Sequence, residues 1–313
     1  MDRRVPVTLL SGYLGAGKTT VLNQLLSSGS AGRCAVIVNE AGSLGIDGQL
    51  VREAEWGLVE ISDGCICCTV LGDLAGALAS LLRGTDEPID RVLIETSGLA
   101  SPGPVVRTLG AVAELRERVR VAGVITVMHS EHALKQLDMR VEAREQLACC
   151  DRLILGHIDR VDAEQIDAVE ARARELRPDV EILKAEHGRV AADWLLREAD
   201  VSIPSGADIS AHSDGVVTAS FTAEQPLELH ALKMWLQFLC ARRGQQILRI
   251  KGVFHCAGSA QAIAVHGIHD WLEFGPLEKA PPPSSTIVVI GDGLEVDELQ
   301  RGWDAVISQP ARS

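Results

Sequence analysis

The sequence predicts an α/β chain in two parts: a parallel-sheet domain over residues 1–200, a linker at 201–214 and a smaller α+β C-terminal domain over 215–313. Three observations predict this. Short continuous apolar runs alternate with amphipathic stretches through the first two thirds of the chain, the pattern of strands covered on both faces by helices. Pro, Gly, Ser and Asp then crowd VSIPSGADISAHSD at 201–214 without periodicity, as in a connecting segment. Beyond it, several strand-like runs are separated by two helical stretches.

Taken in order, VPVTLL at 5–10 is an apolar strand, followed by a Gly-rich turn. After the turn Val21, Leu22, Leu25 and Leu26 share one helical face. Further strands are expected at 34–38, 58–61, 91–95, 121–127 and 152–156, with helices at 70–82, 133–148 and 162–176. In the last hundred residues, strands are expected at 216–221, 247–255, 262–266 and 286–290. Helices are expected at 227–242 and 295–307, and Pro281-Pro282-Pro283 marks a turn. No internal repeat or low-complexity tract interrupts this order.

Composition bounds the chemistry. At 313 residues and 46 % hydrophobic the chain can build a large core, so it is not a disordered chain. A net charge of −13 argues against a general affinity for nucleic acid, which needs clustered Lys and Arg to release counterions. The N-terminal apolar run is broken by Gly and Lys before it resembles an export signal. No run reaches the roughly 18 apolar residues of a membrane span. The expectation is a cytoplasmic protein without membrane or nucleic-acid partners.

Gly12-Tyr13-Leu14-Gly15-Ala16-Gly17-Lys18-Thr19 matches G-x-x-x-x-G-K-[ST] between a strand and a helix, the context this motif needs. The first part is therefore read as a P-loop NTPase domain. Glycines let backbone N–H groups point at phosphate oxygens, and the helix N-terminus adds about half a positive charge. Lys18 is expected to reach the β- and γ-phosphates and the Thr19 hydroxyl to ligate Mg²⁺. Gly12, Gly15, Ala16, Gly17, Lys18, Thr19 and Thr20 are the expected nucleotide-binding residues of this segment. Glu95, ending the strand RVLIE, is the candidate second acid near the metal, and the Gly98 N–H the candidate contact to the γ-phosphate. An acid ending a strand is often only solvated; beside the phosphate loop it becomes the preferred candidate.

Gly64-Cys65-Ile66-Cys67-Cys68 places three of the eight cysteines within four residues. Thiolates suit Zn²⁺, Cu(I) and related ions, and three sulfurs so close fit an open or transfer site better than a closed structural one. A redox pair is the rival reading, although the spacing is C-x-C-C rather than C-x-x-C. Cys34, Cys149, Cys150, Cys240 and Cys256 read as buried and inert. His129 and His132 could share a helix face, but the pair alone reads as a packed or solvated face, and no second metal site is assigned to it.

Together SGYLGAGKTT, VNEAGSLGID, SDGCICC and ETSGLASPGP closely resemble the CobW-like family of metal-handling GTPases, relatives of HypB and UreG, and the likeness continues through LRIKGVF and TIVVIG. The resemblance implies a GTPase domain whose Cys65, Cys67 and Cys68 bind a transition metal near the switch regions. Cys67 would be the central ligand, with Glu95 and Gly98 in the second switch. It implies GTP and Mg²⁺ as cofactors and delivery of Zn²⁺, Co²⁺ or Fe²⁺ to a client metalloenzyme; a homo-oligomer is left open. Three positions depart from the family pattern. Ser43 stands where an acid is usual, and Val38 where some relatives carry one, which shifts metal binding onto the three thiols. Gly156-His157-Ile158-Asp159 stands in place of N-K-x-D, leaving Asp159 to read guanine without the usual Asn and Lys. No Arg finger or water-orienting Gln is evident, so intrinsic turnover is expected to be slow. A nucleotide-insensitive metal-sequestering protein and a P-loop ATPase are the alternatives.

Overall fold

A computed structural model describes residues 4–39, 58–61, 69–83, 88–199, 210–211 and 215–309. The chain divides into two compact units. The first runs to Arg174 and includes Val180–Ala199, while Glu175–Asp179 groups with the C-terminal unit.

The first unit is built on β1 (Val5–Ser11), β2 (Cys34–Asn39), β3 (Leu58–Ile61), β4 (Arg91–Glu95), β5 (Val119–His129), β6 (Arg152–Gly156) and β7 (Glu181–Ala185). They form a seven-stranded sheet in the order β3-β2-β4-β1-β5-β6-β7. Every adjacent pair is parallel. Val36, Ile37, Val92, Ile94, Val124, Leu153 and Ile154 are fully buried, which is why these strands read as unbroken apolar runs. Helices α1 (Lys18–Ser27), α2 (Thr69–Arg83), α3 (Gly103–Ala111), α4 (Ala113–Arg118), α5 (Ala133–Met139), α6 (Val141–Cys149), α7 (Ala163–Leu176) and α8 (Ala192–Leu196) connect them. On α1, Val21, Leu22 and Leu25 join Leu10, Val36 and Val127 in one apolar cluster.

One helix was expected over 133–148; the structure has two. Arg140 is extended between α5 and α6. The Arg144 guanidinium donates to the Leu137 and Asp138 carbonyls at 2.9 and 3.2 Å, satisfying groups that a continuous helix would have paired.

The second unit is a six-stranded antiparallel sheet with two helices. β8 (Ser210–Ala211), β9 (Val216–Ala223), β10 (Ile247–Phe254), β11 (Ile263–Ile268), β12 (Trp271–Pro276) and β13 (Ser285–Asp292) lie in the order β12-β11-β10-β13-β9-β8. Helix α9 (Leu229–Arg243) opens where the Glu228 carboxylate accepts from the His230 and Ala231 N–H groups at 3.1 and 2.6 Å. Trp303, on α10 (Val296–Ile307), is buried with Phe221, Trp235 and Phe254 around it at ring-centroid distances of 6.2, 5.7 and 6.4 Å. Of the expected linker, Ser210 and Ala211 form β8, paired with β9; the rest lies outside the described residues. Among the described residues, no helix is long and apolar enough to cross a membrane.

Candidate functional site

Because β1 and β4 to β7 are parallel, their following loops gather at one edge of the sheet, where ligands of open α/β sheets bind. Gly12–Gly17 follows β1, and α1 begins at Lys18. Its N-cap is Gly17, at φ 97°, with no side chain capping the helix, so the first N–H groups of α1 face the loop. Gly12 has φ 140°, and a Cβ there would lie 2.2 Å from the Val127 carbonyl oxygen on β5. Only glycine lets the loop lie this close to the neighbouring strand.

Lys18 is buried, and its ammonium donates to the carbonyls of Gly12 and Tyr13 at 2.8 and 3.3 Å. The loop thus curls around its own cation. The Thr19 hydroxyl donates to Glu95 Oε1 at 2.8 Å, across 76 residues of sequence. Glu95 ends β4, in register with Leu10 of β1 on one side and Val38 of β2 on the other. An acid at 38 would have stood beside Glu95; the buried valine removes that oxygen ligand. The hydroxyl and carboxylate are hard oxygen donors at the mouth of the loop, and the pair fits Mg²⁺.

Gly98 lies against the same loop. A Cβ on it would come within 2.7 Å of the Leu14 N–H nitrogen. The segment is held from behind by Gln146 on α6, whose side-chain amide donates to the Gly98 and Ala100 carbonyls at 3.2 and 3.0 Å. Gln146 was not singled out by sequence reasoning, since no spacing joins it to either motif.

Beside the loop lies a cavity of about 200 Å³ whose lining includes Gly17, Thr20, His157, Asp159, His187 and Gly188. Ala16 also lines it, so the expected residues Ala16, Gly17, Thr20 and Asp159 come together here. His157 follows β6 with φ 58°, and a short 3₁₀ turn, Ile158–Arg160, carries Asp159. His187 and Gly188, in the loop after β7, complete the cavity and were not anticipated.

His129 and His132 do not share a helix face: His129 ends β5 and His132 precedes α5. With His157 they form a stack, His157 on His129 at 3.9 Å and His129 on His132 at 4.6 Å. Burial, then the neighbouring His157 and His132, holds the His129 imidazole below its ordinary pKa. Burial and then Arg160 does the same for His157. Both rings are therefore uncharged at neutral pH.

The thiol motif, Cys65, Cys67 and Cys68, lies outside the described residues, as do Glu40 and Ser43. The five cysteines read as inert are all buried. Burial pushes the thiols of Cys34 and Cys240 up to about 12 and that of Cys256 up to about 11, keeping them protonated.

Residues 6–184 match the family model described as CobW/HypB/UreG, nucleotide-binding domain, and residues 216–307 match the cobalamin synthesis protein cobW C-terminal domain. The chain is 29 % identical to the zinc chaperone YjiA of Escherichia coli, over 96 % of this chain and 98 % of that protein. It is 35 % identical to the zinc chaperone CobW of Pseudomonas aeruginosa, over 93 % of this chain and 88 % of that one. The crystal structure of the Zn(II)-bound YjiA GTPase from E. coli matches with a TM-score of 0.71, over 97 % of this chain and 99 % of that one. At 22 % identity that likeness is one of fold.

Proposed function

This chain belongs to the CobW/HypB/UreG family, and we propose that it is a Mg²⁺-dependent GTPase that handles a transition metal, zinc foremost, for a client metalloenzyme. The observation that carries the nucleotide half is the 2.8 Å pairing of Thr19 with Glu95 at the mouth of a loop that also holds Lys18 and the uncapped start of α1. Cation, helix N-terminus and oxygen donors converge on one spot, as binding of a triphosphate with its metal requires.

In this reading, loop N–H groups and Lys18 hold the β- and γ-phosphates, while Thr19 and Glu95 hold Mg²⁺, which supplies charge neutralisation at the γ-phosphate. Gly98 brings its N–H near the terminal phosphate. Asp159 accepts hydrogen bonds from guanine N1–H and the exocyclic amine in the cavity that it lines. His157, standing where the family pattern has Lys, offers a ring to that cavity in place of an aliphatic stem.

The choice of zinc is supported by the names of the relatives: the CobW of P. aeruginosa and YjiA are zinc chaperones, and the relative in Schizosaccharomyces pombe is a zinc-regulated GTPase metalloprotein activator. Cys65, Cys67 and Cys68 are the proposed thiolate ligands for this cargo, and Zn²⁺, Co²⁺ and Fe²⁺ are the ions to compare. The thiol segment follows β3, whose C-terminal end faces the same sheet edge as the phosphate loop, so GTP and metal affinities are expected to be coupled, and reciprocally. Zn²⁺ titrated into apo, GDP-bound and GTP-analogue-bound protein tests this. Affinity is expected to change about tenfold between nucleotide states, or about 1.4 kcal/mol. Identical isotherms in all three states would leave a metal store and not a nucleotide-switched chaperone.

A further inference from the structure

We propose that the turn His129-Ser130-Glu131-His132 is a binding site for a divalent transition-metal ion of the Zn²⁺ class, held by two imidazoles and one carboxylate and drawing on none of the thiol motif's residues. The ligand atoms of His129, Glu131 and His132 lie within 4.8 Å of one another. A tetrahedral zinc with bonds of about 2.0–2.2 Å holds its ligand atoms about 3–3.5 Å apart. Closing the set takes His132 out of its stack on His129, because the lone pairs of two stacked rings lie in separate planes, and draws Glu131 inward; both side chains are exposed.

The backbone that carries these side chains is fixed in advance. The His132 N–H donates to the His129 carbonyl at 2.9 Å, closing a tight turn. Ser130 anchors that turn to the end of β6, since its N–H and its hydroxyl both donate to the Gly156 carbonyl, at 3.0 and 2.8 Å. Two imidazoles three residues apart are thereby presented from one rigid frame, which lowers the ordering cost of binding.

A purely packed role accounts for less of this arrangement. Ring stacking explains why His129 tolerates burial at 7 % exposure, but it uses only the faces of the rings. Nδ1 of His129 is buried and meets no hydrogen-bond partner among the described residues. Such an atom costs about 1–3 kcal/mol if nothing pairs with it, and in the tautomer protonated at Nε2 it presents the lone pair that a borderline ion takes. Two His and one Glu is also the donor set of open zinc sites, in which water or a further ligand fills the fourth position.

The site depends neither on the thiols nor on hydrolysis, so its failure and that of the proposed function are separable. Co²⁺ alone serves as the probe, titrated into the full-length chain with Cys65, Cys67 and Cys68 all changed to Ser. One equivalent is expected to bind with visible d–d bands and without thiolate-to-cobalt charge transfer. His132→Ala and Glu131→Gln, both at exposed positions that should leave the fold intact by circular dichroism, are each expected to weaken binding at least as much as loss of an outer-shell partner does, about 10–100-fold. His129→Ala, which opens a buried position, is judged only alongside these two. A thiol-free chain that takes up no Co²⁺, or one whose uptake is unchanged by both exposed substitutions, would overturn the site.

Discussion

The ammonium of Lys18 turns inward onto two carbonyls of its own loop. Lys18→Ala should therefore leave the fold intact while lowering triphosphate hydrolysis by at least about 10²–10³-fold, the cost of removing one preorganised donor to a developing charge. Undiminished turnover would remove Lys18 from the mechanism. Asp159 makes a different test, because it lines the cavity beside the loop rather than the loop itself. If it reads guanine, GTP should outcompete ATP, and Asp159→Ala should erase about 10–100-fold of that preference, since hydrogen bonds to a charged group are worth about 1.5–3 kcal/mol. Equilibrium competition measures this, and an unchanged ratio would show that the base is read elsewhere. The loop was legible from its motif after an apolar run, and Glu95 as an acid ending a strand once the loop was in place. His129 was legible only as half of a pair with His132, read as a packed or solvated face; the pairing of β5 with β6 is what sets it beside His157, 28 residues on.

At the scale of elements, the interior strands were legible, and of the four edge strands only β3 was. β7, β8 and β12 escaped the reading, and all three lie at sheet edges. β7 is half exposed and β12 has no fully buried residue, so neither leaves the continuous apolar signature of a strand covered on both faces. The turn after α7 gives an element-scale prediction. Asp179 pairs with the buried Arg177 and with Lys251 of β10, the latter at 3.5 Å. Burial pushes the Asp179 carboxyl up, but Arg177 and then Lys251 outweigh it, so the acid is held below its ordinary value. Between the folded and unfolded values the unfolded chain binds more protons, so this stabilisation is present at neutral pH and is lost as pH falls below about 4. Asp179→Asn should cost about 3–5 kcal/mol at pH 7, because it removes one carboxylate from two buried cations. It should also flatten the acid limb of the denaturation curve. A wild-type acid limb in that variant would show that other carboxylates set it.

For the whole molecule, each unit carries its own apolar cluster, and Trp303 tests whether the site needs the second. Trp303→Ala empties the space between Phe221, Trp235 and Phe254 and should cost the second unit about 3–5 kcal/mol. Calorimetry should then resolve an early transition, with GTP hydrolysis retained below it. Hydrolysis that falls in step with that transition would tie catalysis to the second unit. The close fit of Gly98 against Leu14 has a mechanical consequence of another kind. With no room to yield toward the loop, the Gly98 segment can follow a displacement of Leu14 only by moving away from it, loading the two bonds by which Gln146 holds that segment to α6. A push delivered at the loop would thus travel as strain into α6, making Gln146 the strut on which the Gly98 segment hangs.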